Sequence, residues 1–175
     1  MKVDLVIATY NRAEQLRETL ANVRQFAVGL NTIYVVNNNS TDHTKQVLRE
    51  IADHNTVVIN NDRNLGAAGG KNVGLRNSTA DVIIVIDDDA LFCSDDPVGR
   101  VRELFGGDER LGVAQFSIIN FQTRRILKYE FPGDDPERMG KETFEVGYFI
   151  GAGHALRKSM LEEVGYYPDD FGLYA

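Results

Sequence analysis

The chain has 175 residues, 43% of them hydrophobic and 26% charged, with a formal net charge of −7 and an isoelectric point near 5.0. That length supports one globular domain with a real core and excludes two comfortable ones. The negative balance argues against a broad nucleic-acid footprint, so an anionic ligand must be held locally, by backbone amides, a few cations or a metal.

Residues 3–8 (VDLVIA) are apolar apart from Asp4 and rich in β-branched side chains, the pattern of a buried strand. The period then changes: Ala13, Leu16, Leu20, Val23 and Ala27 recur at helical spacing, and Asn11 with Glu14 resembles a capping box. A second strand at 33–36 runs into the polar stretch 37–42, where Ser40, Thr41 or Asp42 can cap a helix with Val47, Leu48 and Ile51 on its apolar face. A third strand at 56–59 is followed by a glycine-bearing segment, 64–72, leading into a helix through about Asn77. The fourth strand, VIIVI, ends in Asp87, Asp88 and Asp89. Beyond Cys93, the spacing predicts a helix around 98–105, strands at 113–121, 124–131 and 143–150, a polar turn at 133–136 and a short helix at 159–164.

Cys93 is the one cysteine, which excludes an intrachain disulfide framework and fits a reducing, cytoplasmic compartment. The apolar run 5–8 is too short for a leader or a membrane span, so membrane association is expected only through parts outside this sequence. With no internal repeat and no low-complexity linker, two lobes of one continuous domain are expected, residues 1–92 and 93–175.

Alternating strands and helices imply right-handed βαβ units and a parallel sheet covered on both faces. Ligands of such sheets bind beyond the carboxyl ends of the strands, at the switch point. Thr9 to Arg12, Asn37 to Asp42 and Asp87 to Asp89 each follow a strand at that end, so they are expected to converge on one crevice.

Adjacent ionised carboxylates repel, by about 3 kcal/mol per neighbouring pair at roughly 6 Å and an effective dielectric near 20. Alternation would send Asp87 and Asp89 to one side and Asp88 to the other. A solvated, helix-capping turn is one explanation of the triplet. A hard divalent cation, held by carboxylates and completed by phosphates, is the other. The glycine segment fits neither a P-loop, since Leu65 and Asn72 occupy positions that need Gly and Ser or Thr, nor a dinucleotide fingerprint. Gly69 and Gly70 near a helix start cost about 1 kcal/mol each against alanine. Close approach to a ligand or helix-sheet packing could each explain them. Lys71 beside them could meet a phosphate or simply be solvated.

IATYNR (7–12), VVNNNSTDHT (35–44), NDRNLGAAGGKNVGL (61–75) and VIDDDALF (85–92), in order, resemble the inverting family 2 glycosyltransferases of the GT-A fold. The segment 151–175 resembles the same family's Gly-Ala turn, Arg, Val-Gly and acidic-Phe pattern. The resemblance implies an α/β, Rossmann-like, mainly parallel central sheet with helices on both faces and a smaller acceptor-side lobe. It implies transfer of a sugar from a UDP-, dTDP- or GDP-linked donor to a carbohydrate or other hydroxyl acceptor. Thr9, Tyr10 and Arg12 would line the nucleotide pocket, Tyr10 near the base, with Asn11 and Asn64 in the same substrate-binding set. Asn38 and Asp42 would lie around base and ribose; Gly66, Gly70 and Lys71 along ribose and phosphates. Asp87 and Asp88 would contact the donor, and Asp87 and Asp89 would hold Mn²⁺ or Mg²⁺ on the diphosphate.

Departures from the pattern are also legible. Asn37 or Asn38 stands where an aspartate is common, and Lys71 where an arginine is, keeping the charge but not the bidentate fork. The family's general base follows the segment ending at Tyr174 and is expected beyond Ala175, so that role is assigned to no residue; Asp169 and Asp170 match the turn before it. His154 is either an acceptor-side proton handler or a structural histidine. Tyr166, Tyr167, Phe171 and Tyr174 form either a sugar-stacking wall or packing. The rival readings are a sugar-phosphate nucleotidyltransferase, which would carry a Gly-rich basic loop where residues 8–12 stand, and an idle nucleotide-binding module.

Overall fold

The structure is a computed structural model and describes residues 1–125 and 143–168. Its first four strands are β1 (Val3–Thr9), β2 (Ile33–Asn37), β3 (Thr56–Asn60) and β4 (Val82–Asp87). They alternate with α1 (Ala13–Phe26), α2 (Thr44–Ile51) and α3 (Gly66–Asn77). After them come α4 (Pro97–Gly107), β5 (Val113–Gln115), β6 (Gly153–Arg157) and α5 (Lys158–Val164). Among the described residues the sheet order is β3-β2-β1-β4-β6-β5.

The β-branched runs of β1, β2 and β4 are buried on both faces, as inner parallel strands under two helical layers must be, whereas edge strand β3 is half-buried, with Val57 exposed. Val3, Leu5 and Ile7 pack with Leu16, Leu20 and Val23 of α1 and Val98, Val101 and Phe105 of α4. Val6, Ile83 and Val85 face the opposite layer, with Leu75 of α3 and Leu161 of α5. β1 pairs in parallel with β2 and β4, Ala8 facing Asp87 in register. The chain winds outward from β1 to β3 and then returns to the other side of β1 as β4. The switch point therefore lies between the carboxyl ends of β1 and β4.

α3 lies close on the sheet because it lacks side chains where it crosses β1. A Cβ at Gly74 would stand 2.5 Å from Val6 Cγ1, and one at Gly70 3.1 Å from the Ala8 Cβ. Of the two explanations for the glycine segment, packing is the one the structure meets at these positions. Gly66 opens the helix at φ 75°, where a side chain would be strained.

Several expectations change. The Asn11–Glu14 capping box does not form: Arg12 occupies the cap of α1 without a side-chain cap bond, Asn11 sits at φ 55°, and Glu14 meets His43 Nε2 at 2.8 Å. β5 stops at Gln115 rather than residue 121 because its partner β6 begins at Gly153, so nothing continues the ladder. Residues 143–150 alternate like a strand but lack a ladder; the free edge of β4 is taken by Gly153–Arg157 running antiparallel. Arg124 lies at φ 55° outside any strand, and the remainder of the strand expected at 124–131, the turn at 133–136 and residues 169–175 lie outside the described residues. The pairing of β6 with β4 puts residues from both halves of the chain in one sheet.

Candidate functional site

At the switch point the acidic triplet splits by direction. Asp87 ends β4, and the chain turns at Asp88 and Asp89. Asp88 is buried; Thr9 Oγ1 donates to its carboxylate at 2.7 Å, and Thr19 Oγ1 donates to its backbone carbonyl at 2.9 Å. Burial pushes the Asp88 carboxyl above its usual range, against the Thr9 bond and the nearby Arg12 charge, while Asp89 and Asp87 push it further up. The side chains of Asp87 and Asp89 are 40% and 49% exposed.

The protein supplies its own cations to these acids. Arg12 pairs with Asp89 and lies 3.5 Å from Asp88. The Asp88 charge foremost, and Asp89 and Asp87 after it, hold the guanidinium above its ordinary pKa. Lys71, buried in the second turn of α3, donates to Asp87 Oδ1 at 2.7 Å and to the Gly151 carbonyl at 2.9 Å.

Two loops beside this cluster are stitched together by side chains the sequence assigned to ligand. Asn11 Oδ1 accepts from the Thr41 and Asp42 amides at 2.7 and 3.3 Å, and the Asn11 amide donates to Ser40 Oγ at 3.0 Å. Asp42 bridges two helix starts, accepting from the Ala13 amide at 3.3 Å, the Thr44 amide at 3.0 Å and Thr44 Oγ1 at 2.6 Å. Partial burial would raise its pKa, but the Thr44 and Ala13 hydrogen bonds outweigh this and hold the carboxyl below its ordinary value. An anion shared by two helix N-termini also suits their dipoles.

Asn38 is buried and its amide is fully used. Its Nδ2 donates to Asn64 Oδ1 at 2.7 Å and to the Gly66 carbonyl at 2.9 Å. Its Oδ1 accepts from Asn61 Nδ2 and the Leu65 amide, both at 3.0 Å. That saturates the side chain. Asn64 Oδ1 also accepts from the Gly66 amide at 2.9 Å, turning the chain into α3. Of the sequence-selected residues, Thr9, Asn38, Gly70 and Asp88 therefore face the protein. Arg12, Lys71, Asp87 and Asp89 meet at the mouth, and Tyr10, two residues before Arg12, is 43% exposed.

Among the described residues no cluster of three or more His, Cys, Asp or Glu side chains surrounds a single point. Two hard carboxylates with phosphates completing the shell is a common way to hold Mg²⁺. Asp87 and Asp89 fit that pattern: Lys71 engages Oδ1 of one and Arg12 Oδ2 of the other, and each acid has a second oxygen.

Residues 4–165 match the family described as Glycosyl transferase family 2. The chain belongs to that family. Its GT-A fold matches the Pyrobaculum calidifontis mannosyltransferase PcManGT, in complex with GDP-Man and Mn²⁺, with a TM-score of 0.74 at 21% identity, over 97% of this chain and 48% of that one. The Staphylococcus aureus TarS 1-349 structure gives a TM-score of 0.78 at 18% identity, over 98% of this chain and 52% of that one. An "Uncharacterized protein" of Haemophilus influenzae is 27% identical over 95% of this chain and 92% of its own length. A poly-beta-1,6-N-acetyl-D-glucosamine synthase of S. aureus is 27% identical over 63% of this chain and 27% of its own length. The chain thus spans about half of these solved relatives and a smaller share of the synthase. No helix among the described residues is long and apolar enough to cross a membrane.

In this member of glycosyl transferase family 2, His154 is structural. It is fully buried on β6, facing Val85, with the Phe149 ring centroid 4.7 Å away. Nδ1 lies 3.2 Å from the Ile150 carbonyl, which can only accept, so Nδ1 carries the proton and Nε2 accepts from the Tyr167 hydroxyl. Burial, helped by the Lys71 charge, lowers its pKa to about 3. The Tyr167 backbone is in turn clasped by Asn72, through bonds of 2.8 and 3.1 Å. Tyr166 packs under Arg76 and Lys158, so both tyrosines serve packing. Phe171 and Tyr174 lie outside the described residues.

The depressed His154 pKa has a signed consequence. Between pH 6.5 and about 3 the unfolded chain binds a proton that the folded chain refuses, so stability falls as pH falls. This contribution amounts to about 1.4 kcal/mol per pH unit within that window. Urea titrations at pH 6.5, 5.5 and 4.5 are expected to give a shallower pH slope for His154→Gln than for wild type; equal slopes would place a charged or solvated histidine there.

Thr19 and Asn72 are the positioning residues that the sequence pattern passed over. Thr19 had a usable signal, a polar residue between Leu16 and Leu20 on the buried stripe of α1. The Gly151 carbonyl had none.

Proposed function

We propose that the chain carries the catalytic domain of an inverting, metal-dependent glycosyltransferase. It moves a sugar from a UDP-, dTDP- or GDP-linked donor to a carbohydrate or other hydroxyl acceptor in the cytoplasm. The observation that carries this reading is the meeting of Arg12, Lys71, Asp87 and Asp89 at the carboxyl ends of β1 and β4. Family membership gives the reaction class. Support for the donor class comes from solved relatives that hold GDP-Man with Mn²⁺ and UDP-GlcNAc. The exposed, unpaired Cys93 suits a reducing compartment.

In this reading Tyr10 stacks on the base. Asn11 and Asp42 fix the loops beneath it, and Asn38 with Asn64 and Gly66 sets the start of α3. Arg12 and Lys71 would face the diphosphate, and Asp87 and Asp89 would hold Mn²⁺ or Mg²⁺. Thr9 and Arg12 fix Asp88, which positions the turn carrying Asp89. When bound, the cation would supply Lewis-acid stabilisation of the charge that develops on the leaving nucleoside diphosphate. The residues around it supply orientation and a water-poor wall on the β4 side.

Calorimetry with UDP, dTDP and GDP, with and without Mn²⁺, tests the reading. One nucleotide should bind in an Mn²⁺-dependent way, and Tyr10→Ala should weaken it by roughly tenfold, the order of one lost base-aromatic stack. Because Tyr10 is 43% exposed, its replacement should leave Tm nearly unchanged. Absence of Mn²⁺-dependent binding to all three nucleotides would reject the proposal.

A further inference from the structure

Lys71 and Arg12 occupy the carboxylates that the proposed function gives to a metal. Asp87 is held by Lys71 at 2.7 Å and Asp89 by Arg12. Three acids set against two bases leave the cluster one formal negative charge. A divalent cation would turn that into one positive charge, and a doubly negative nucleoside-diphosphate sugar would return it to one negative.

The two bases differ in what displacement costs. The Arg12 side chain is 48% exposed and can exchange Asp89 for water. The Lys71 side chain is only 8% exposed, and its ammonium is fixed between Asp87 and the Gly151 carbonyl. A buried ammonium that loses its counterion must find another anion or bear an unpaired charge. The nearest mobile anion in the proposed reaction is the donor's diphosphate.

We infer that Lys71, assisted by Arg12, is a resident counterion that occupies the metal carboxylates until metal and diphosphate arrive together, and then cedes Asp87 to the metal and pairs with the diphosphate. This inference rests on the metal-dependent reading. Metal alone must compete with Lys71 for Asp87 and leaves the ammonium stranded beside a divalent charge, so it binds weakly. Metal with diphosphate relieves both penalties, so each ligand strengthens the other by the same factor. Lys71 is here a positioning residue that couples the two ligands.

The test is Mn²⁺ affinity of the 175-residue chain, read from the electron paramagnetic resonance signal of free Mn²⁺, alone and with saturating UDP, dTDP or GDP, at low salt. Lys71→Met keeps the stem and removes the charge. It should bind Mn²⁺ alone roughly tenfold tighter than wild type, and bind the nucleotide in the presence of Mn²⁺ roughly tenfold weaker. Arg12→Gln, at an exposed position, should shift both affinities in the same opposed directions by about threefold, and it decides the matter if Lys71→Met does not fold. A merely structural lysine would move both affinities together or neither. Unchanged or weaker binding of Mn²⁺ alone by the variants, with wild type still binding Mn²⁺ and nucleotide, overturns the counterion role and leaves the proposed function standing. If wild type binds no Mn²⁺ even with nucleotide, the metal-dependent reading falls, and the counterion role with it.

Discussion

Asp89→Asn is expected to abolish Mn²⁺-dependent nucleoside-diphosphate binding, with a loss of at least about 100-fold, while the protein stays folded. The two effects separate because of where Asp89 stands. Its side chain is 49% exposed and its partner Arg12 is 48% exposed, so the ion pair contributes about 0–1 kcal/mol to stability. The carboxylate that offers hard oxygens at the mouth loses one charge on substitution, and an amide is a poor ligand for Mn²⁺ or Mg²⁺. Calorimetry with and without Mn²⁺, alongside a thermal melt, measures both quantities. Unchanged Mn²⁺-dependent affinity would remove Asp89 from the metal site. A large fall in Tm would mean that the acid holds the turn rather than a ligand.

Asn38→Ala should behave in the opposite way. The side chain closes four hydrogen bonds, to Asn61, Asn64, the Leu65 amide and the Gly66 carbonyl, in a buried or half-buried setting. Truncation takes a partner from all four; Asn64 Oδ1 keeps the Gly66 amide, but Asn61 Nδ2 and the Leu65 amide lose the acceptor they share, and each buried unsatisfied group costs about 1–3 kcal/mol. Allowing for water at the half-buried ones, the expected loss is about 3 kcal/mol, a fall of roughly 6–12 °C in Tm for a domain of this size. Nucleotide affinity measured well below the melt should change less. A variant with wild-type Tm and lost nucleotide binding would restore Asn38 to the ligand and contradict the hydrogen-bond network.

These two residues illustrate how far composition and spacing reach. In the sequence both are polar groups at the carboxyl end of a strand, with nothing local to tell them apart. Asp89 lies one residue past a buried carboxylate on a turn, and Asn38 one residue past the last pair of β2, yet one faces the mouth and the other the protein. Orientation beyond the last ladder bond depends on the partners that the neighbouring loops bring, and those come from residues 61–66 for Asn38 and from Arg12 for Asp89. Gly70 repeats the lesson. A glycine near a helix start signals close approach, but whether to a ligand or to a strand is fixed by which face of α3 meets the Ala8 Cβ.

The β half of the fold was legible because burial on both faces demands apolar runs, which β1, β2 and β4 supply, while edge strand β3 showed itself by its β-branched residues alone. β6 was not, because GHALR carries its own glycine and a buried histidine that is tolerable only once Ile150 and Tyr167 satisfy its nitrogens. The alternation at 143–150 misled for the complementary reason: a period of two specifies a strand only where a sheet edge is available, and β6 already held that edge.

By itself, the sequence determined the parallel sheet, the convergence of three polar clusters at its carboxyl edge and the family, since these follow from hydrophobic period and from residue type at fixed spacing. Only the tertiary structure decided which polar groups face the crevice, that Lys71 and Arg12 neutralise the acids there, and that His154 stays neutral. Such outcomes depend on burial and on partners distant in the chain, and no local pattern encodes either.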